Sequence, residues 1–293
     1  MNKSTISNNV VITECPRDGI QGLKTFIPTQ TKADYINSLL NIGFDIIDFG
    51  SFVSEKTIPQ LKDTSEVLEK LNLSSSKSDL MVLIANLKGA EIAVNSDKIT
   101  YLSFPFSVSP TFLKLNINAN FEQALTTIDK INNLCIKNNK KLKVYLTMAF
   151  GNPYGDECNT DIIMNWVNMI NNLGIKYITL SDVTGVSSIK SINDAYSQLI
   201  TNFSSIEIGL HLHTKPDEWY DKLDIAYKNG CRSFDAVING MGGCPMTNYE
   251  MVGNLDTENL ISYLEEKQIK HNIDLVTFEK SRGKNKVLFG KVV

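Results

Sequence analysis

The feature that most restricts this chain is an unbroken alternation. Short apolar runs rich in β-formers recur, with longer segments of helical spacing between them, from near residue 10 to near residue 240. The runs fall near Val10–Cys15, Phe44–Phe49, Leu80–Ala85, Ile99–Phe104, Leu142–Met148, Tyr177–Leu180, Ile206–His213 and Ser233–Ile238, eight in all. They are close to continuously apolar, as parallel strands covered on both faces are. Between them, Thr31–Ile42 sets Tyr35, Ile36, Leu39 and Leu40 at helical spacing, and Phe121–Asn138 carries Leu125, Ile128, Ile131, Leu134 and Cys135 along one stripe. Thr160–Leu173 is closed by Gly174, and a helix that starts near Pro216 and runs to Asn229 is followed by Gly230. Proline at a helix start and glycine after its end is the expected asymmetry. Eight βα units in a row predict an α/β protein with a closed (β/α)₈ TIM barrel. An open doubly wound sheet would normally carry a glycine-rich phosphate turn after its first strand, and Pro16-Arg17-Asp18-Gly19 is not one. The 293 residues suffice for one barrel of about 250 residues, and a 42% hydrophobic share supplies its core. A single catalytic domain over 1–293 is therefore expected, with the barrel over 10–240 and an active-site loop and C-terminal helices, among them Thr257–Gln268, over 241–293.

In such barrels the active site lies at the C-terminal ends of the strands. The polar residues there are the candidates. Strand one runs into Arg17 and Asp18; strand two carries Asp48 and runs into Ser51; strand six ends in Ser181-Asp182. Strand seven ends in His211-Leu212-His213, and strand eight is followed by Gly240–Pro245, with Asn254 beyond. Residues i and i+2 on a strand share a face, so two of the chain's three histidines enter the barrel mouth together. A lone buried histidine is more often a core residue, but two on one face at a strand's C-terminal end favour metal ligation. With Asp18 and Asn254 the donors are two nitrogens and two oxygens without a thiolate. That mix leaves coordination positions open and suits Mg²⁺ or Mn²⁺, with Zn²⁺ as an alternative. Taken alone, Asp18 would serve as well as a turn or cap residue.

The segments Pro16–Gln21 (PRDGIQ), Ser51–Ser54 (SFVS), Pro59-Gln60, Asn86–Gly89 (NLKG), His211–His213 (HLH), Gly240–Pro245 (GMGGCP) and Gly253-Asn254 occur in this order. Together, from about Val10 to Glu266, they closely resemble the 3-hydroxy-3-methylglutaryl-CoA lyases, members of a wider group of metal-dependent barrel lyases and Claisen-type synthases. PRDG and HxH specify the wider group; SFVS with Pro-Gln, and GMGGCP, point to the lyases. The resemblance implies cleavage of 3-hydroxy-3-methylglutaryl-CoA to acetyl-CoA and acetoacetate, with one divalent cation on Asp18, His211, His213 and Asn254. It implies Arg17 as the group stabilising the enolate, Cys244 as a mobile-loop cysteine tied to proton transfer, and Asp182 as an acidic residue required for activity. Asp48 stands where the lyases usually have Glu, and Asp18 and His211 count among the catalytic groups. Gln21, Ser51 and Asn86, with Arg17, are implied near the substrate. The chemistry suits these types: a retro-Claisen cleavage needs a Lewis acid on the tertiary hydroxyl, a nearby base, a fixed cation for the enolate and a closing acid. There are departures. The usual Gly-Asp-Thr reads Ser181-Asp182-Val183, the Asp usually following the second histidine is Thr214, and the Gly before PRDG is Cys15. They leave room for another 3-hydroxyacyl-CoA, a synthase, or a catalytically silent acyl-CoA-binding paralogue.

A formal net charge of −3 gives no electrostatic reason to expect nucleic acid or an anionic membrane as partner. No stretch reaches the roughly 18 apolar residues of a membrane span, and the first residues lack a signal or transit pattern, so a cytoplasmic protein is expected. The five cysteines are odd in number and match no disulfide or zinc spacing, which reads as reduced thiols. A homodimer is expected because many barrels of this kind form one. The basic tail Glu279–Val293 either covers one barrel end or is a solvated charge run, the commoner explanation of such a segment.

Overall fold

A computed structural model describes residues 9–243 and 252–289. Eight strands follow one another round a closed barrel in chain order: β1 (Val11–Glu14), β2 (Ile46–Ser51), β3 (Asp79–Leu83), β4 (Ile99–Ser107), β5 (Lys141–Thr147), β6 (Tyr177–Asp182), β7 (Glu207–Leu212) and β8 (Ser233–Ala236). Every neighbouring pair is parallel, and β8 closes on β1 with Thr13 opposite Asp235. The helices are α1 (Pro16–Ile20), α2 (Thr29–Leu39), α3 (Thr64–Glu69), α4 (Leu87–Val94), α5 (Pro110–Ile117), α6 (Phe121–Lys137), α7 (Thr160–Asn172), α8 (Ile189–Asn202), α9 (Trp219–Lys228), α10 (Thr257–Glu266) and α11 (Leu275–Phe289). The barrel expected from the alternation is the fold observed.

The strand residues divide by parity. One set, including Ile12, Ile47, Leu80, Val82, Leu102, Val144, Leu180, Leu210 and Phe234, joins the helices in a single buried core. The other set faces the barrel axis. At its lower level Ile46, Met81, Tyr101 and Tyr145 form a small separate cluster. Around and above it the interior is polar, with Thr13, Asp48, Lys143, Thr179, Ser181, His211 and Asp235 all buried. Gly209 belongs to this face: a Cβ there would lie 2.9 Å from Thr179 Oγ1 and 3.2 Å from Ser233 O, so only glycine lets β6, β7 and β8 close at this level.

Two elements differ from the sequence reading, and the structure bears on a third that the sequence leaves open. The Pro-Arg-Asp-Gly segment is a short helix, α1, with proline in its first turn, and all five of its residues are buried. Strand β4 runs on through Pro105 to Ser107 before Ser109 caps α5 through the Phe112 amide. The tail begins within α11, with Glu279 and Lys280 exposed. Phe278 and Ser281 are buried, Ser281 Oγ donates to Ser38 O of α2, and Arg282 pairs with Glu258 and Glu279. Anchors at 278 and 281 thus hold one face of α11 to the barrel side while the charges at 279 and 280 lie outward. No helix among the described residues is long and apolar enough to cross a membrane.

Candidate active site

The two histidines expected to share a face do so. His211 and His213 are buried at the C-terminal end of β7, with their Nε2 atoms 3.3 Å apart. Asp18, carried by α1, places Oδ2 3.9 Å from His211 Nε2 and 4.0 Å from His213 Nε2. The segment after the glycine-rich loop returns to the barrel edge, where Asn254 forms an antiparallel bridge with His213. Its Nδ2 donates to Asp18 Oδ2 and to Met241 O, both at 2.8 Å. These four expected ligand residues are therefore contiguous. For Asn254 the amide nitrogen, not its oxygen, faces Asp18.

The hydrogen bonds behind the histidines decide what the cluster can hold. His213 Nδ1 lies 2.9 Å from the Val252 carbonyl, which can only accept, so Nδ1 carries the proton and Nε2 presents a lone pair. His211 Nδ1 lies 3.2 Å from Asp235 Oδ2, which assigns it the same tautomer. Asp235 also accepts from Tyr145 Oη at 2.6 Å and from Lys143 Nζ at 3.3 Å. Burial disfavours its charge, but Lys143 and His211 hold its carboxyl far below the ordinary range. Two lone pairs thus face each other beside a carboxylate, an arrangement stable only around positive charge. Asp18, despite burial, is held low by Arg17 and the histidines. Burial would lower His211, yet the Asp235 hydrogen bond and the Asp18 charge raise it; burial and the neighbouring His211 charge lower His213. The pair attracts one positive charge, and Asp18, His211 and His213 form a group close enough to bind one metal ion. The donor set fits a divalent cation.

Arg17 borders this cluster. Its Nε and Nη2 both donate to Asp48 Oδ2, at 2.9 and 2.5 Å, and Nη1 donates to Asp18 Oδ1 at 3.0 Å and Gln21 Oε1 at 3.1 Å. Gln21 Nε2 in turn donates to Asp18 Oδ1 at 2.5 Å. Burial alone would make Arg17 easier to deprotonate, but Asp48 and Asp18 outweigh it and keep the guanidinium charged. Burial pushes the Asp48 carboxyl up, with Arg17 pulling it back, and its Oδ1 has no hydrogen-bond partner among the described residues.

A cavity opens above these groups. One end is polar (Arg17, Asp18, Gln21, Tyr145, His211 and His213), and Leu83, Pro105, Phe112 and Ile117 contribute an apolar wall. Asp48 and Asn254 are not among its lining residues. Three other expected residues make local bonds. Ser51 Oγ accepts from the Val53 amide at 3.1 Å, and Asn86 Oδ1 caps α4 through the Gly89 amide at 2.9 Å. Asp182 accepts from the Val186 and Ser187 amides, at 3.1 and 2.8 Å, and so ties down the β6–α8 loop. Cys244 lies outside the described residues; Cys15, Cys135, Cys158 and Cys231 are free thiols. Sequence reasoning missed Lys143, Tyr145 and Asp235. The available signal was a carboxylate inside the short strand Ser233–Ala236, in register with both His211 and Thr13.

A parallel barrel with an aspartate and two strand-borne imidazoles at its C-terminal mouth defines a class: barrel enzymes built around a single cation site. The model of the HMGL-like family matches residues 10–282, and the chain belongs to that family. It is 31% identical to an HMG-CoA lyase from Acinetobacter baumannii, solved with coenzyme A and 3-methylmalate, over 98% of this chain and 93% of that one, with a TM-score of 0.90. The HMG-CoA lyase YngG of Bacillus subtilis is 29% identical over 260 residues, which is 89% of this chain and 86% of that protein. The human mitochondrial hydroxymethylglutaryl-CoA lyase is 29% identical over 272 residues, covering 92% of this chain and 83% of the human one.

Proposed function

We propose that this protein is a divalent-metal-dependent carbon–carbon lyase that cleaves 3-hydroxy-3-methylglutaryl-CoA to acetyl-CoA and acetoacetate. The observation that carries the reading is the meeting of Arg17, Asp18, His211 and His213 at one cavity end, in a chain of this family. A cation bound there supplies Lewis acidity toward the oxygens of the substrate. Asp18 presents a carboxylate acceptor to the tertiary hydroxyl, whose proton must leave as the C2–C3 bond breaks, while His211, whose Nε2 lone pair would be given to the cation, acts by holding that ion. Arg17, immobilised by Asp48, faces the thioester oxygen on which the enolate charge develops. Because the guanidinium is held by two bonds to one carboxylate oxygen, little reorganisation is needed as that charge forms. Cys244 returns a proton to the carbanion carbon. Gly242 and Gly243, with φ of +95° and +141°, give the chain leading to it a course that other residues would resist. Asp182 acts by fixing the loop after β6, and Ser51 and Asn86 by shaping the substrate end of β2 and the start of α4. Asn254 would complete the ligand set through its amide oxygen.

The same reading carries Mg²⁺ or Mn²⁺ as the ion, leucine breakdown and ketone-body formation as the setting, the cytoplasm as the location and a homodimer as the assembly. The test is release of acetoacetate from 3-hydroxy-3-methylglutaryl-CoA by reduced protein with Mg²⁺ or Mn²⁺, with chelator and Cys244→Ala as controls. Metal-dependent product that falls sharply in the variant supports the reaction and the site. No product from metal-loaded protein sinks it.

A further inference from the structure

The buried hydroxyl groups of Tyr145 and Thr147, which line the cavity, are already committed inside the protein. Tyr145 Oη donates to Asp235, and Thr147 Oγ1 donates to Phe106 O at 3.1 Å. Ser181 is different. It lines the cavity, is only 2% exposed, and its Oγ has no hydrogen-bond partner among the described residues. Thr179 Oγ1 is also unpartnered, but it is not a cavity-lining residue and belongs to the level of Gly209 below. A buried hydroxyl without a partner is costly, and native proteins rarely keep one unless something else satisfies it.

The position of Ser181 indicates what that is. On β6 it stands in register between Thr147 of β5 and His211 of β7. Arg17 follows β1, three strands away round the barrel through β8 and β7. A ligand whose thioester lies at Arg17 and whose middle lies at the histidine cluster extends its far end toward β5 and β6. That side has no cation among the described cavity-lining residues, and Val183, which follows β6 and also lines the cavity, has no hydroxyl. We propose that Ser181 is a substrate-binding, specificity-determining residue whose hydroxyl donates to the carboxylate at the far end of an acidic 3-hydroxyacyl-CoA. The proposal rests on the lyase reading above and deepens it, by making acidic over neutral acyl chains the choice of this one hydroxyl.

The test compares wild type with Ser181→Ala. Because the hydroxyl has no partner within the described protein, the variant's Tm does not fall below that of wild type. Loss of a hydrogen bond to a charged group raises KM for 3-hydroxy-3-methylglutaryl-CoA by about ten- to a hundred-fold, with kcat within a few-fold. The inhibition constant of 3-hydroxy-3-methylbutyryl-CoA, which lacks the carboxylate, stays the same. A KM change under about two-fold, or an equal loss for the acidic and neutral ligands, overturns the proposal. If wild type makes no acetoacetate, binding of 3-methylmalate with Mg²⁺ and coenzyme A is read instead. A ten-fold or greater loss in Ser181→Ala then upholds Ser181 while the reaction fails; equal affinity in both proteins sinks both.

Discussion

Glu14 closes β1 with no exposed surface, and its two carboxyl oxygens hold the far side of the site together. Oε1 accepts from the Ile238 amide at 2.9 Å and Oε2 from Thr257 Oγ1 at 2.6 Å. Burial pushes its pKa up from the ordinary 4.5 to about 8, even though the Thr257 and Ile238 bonds pull it down. At neutral pH the folded carboxyl therefore keeps a proton that the unfolded chain releases. The sign follows from linkage: the native state binds more protons between 4.5 and 8, so this contribution is fully present below pH 4.5 and is lost as pH rises toward 8. At about 1.4 kcal/mol per pH unit, the loss amounts to roughly 3 kcal/mol by pH 7 and roughly 5 kcal/mol by pH 8. Glu14→Gln has the shape of the protonated acid and nothing to titrate. Its oxygen takes the Ile238 amide, and its NH₂ meets Thr257 Oγ1 as acceptor. The variant should match wild type to within about 1 kcal/mol at pH 5 and exceed it by about 3 kcal/mol at pH 7. Urea unfolding of both proteins at pH 5, 6, 7 and 8 checks this. Chelator is present throughout, so that proton uptake by the metal-free histidines cancels in the difference. A stability difference that does not change with pH would refute the assignment of a protonated Glu14 to the native state.

Two other perturbations test the packing, one at the site and one beneath α2. A Cβ on Gly242 would lie 2.7 Å from Asp18 O and 2.9 Å from Asn254 Nδ2, at a φ of +95°. Gly242→Ala should displace Asn254 and weaken Mn²⁺ binding by about ten- to a hundred-fold, the range seen when the groups that orient metal ligands are lost; titration by electron paramagnetic resonance measures it, and unchanged affinity counts against Asn254 as a ligand. Lys32 and Asp63 form a buried pair at 2.6 Å, so Lys32→Met should cost about 3–5 kcal/mol by stranding the carboxylate. Adding Asp63→Asn should recover much of that loss in denaturant unfolding, and additive effects of the two changes would rule out the pairing.

What could be read in the sequence depended on which face of a strand carried the signal. The outward residues are apolar and helical segments lie between the runs, so the barrel and all eight strands were legible. His211 and His213 were legible because period two needs no tertiary information. Asp235 was not: one carboxylate in a four-residue strand gains meaning only when β8 is placed beside His211 and opposite Lys143. The helical state of Pro16–Ile20 was hidden because five residues are too few to show a period. Ser51 and Asn86 stand in motifs implied near the substrate, yet each serves a turn or a cap, since motif position does not specify which way a hydroxyl or amide points. The course of the tail stayed open in the sequence because its charges do not show which residues anchor; Ser281 is buried while Glu279 and Lys280 are exposed.

The shorter side chain at Asp48 bears on how the centre balances its charge. One oxygen, Oδ2, takes two guanidinium bonds from Arg17, and the other is left unpartnered among the described residues. The other guanidinium arm is shared between Asp18 and Gln21. One cation between two carboxylates leaves a net negative charge of one, while Lys143 and Asp235 offset each other below. A divalent ion on Asp18 and the histidines would reverse that to a net positive charge of one. That is the complement of the single negative charge a retro-Claisen cleavage develops on the thioester oxygen, and in a buried site such a match costs no reorganisation at the moment of reaction. With such an ion bound, the network would favour the charge distribution of bond breaking over that of the resting protein. It does so with Arg17 already fixed in place and with the imidazole tautomers already set by Asp235 and the Val252 carbonyl.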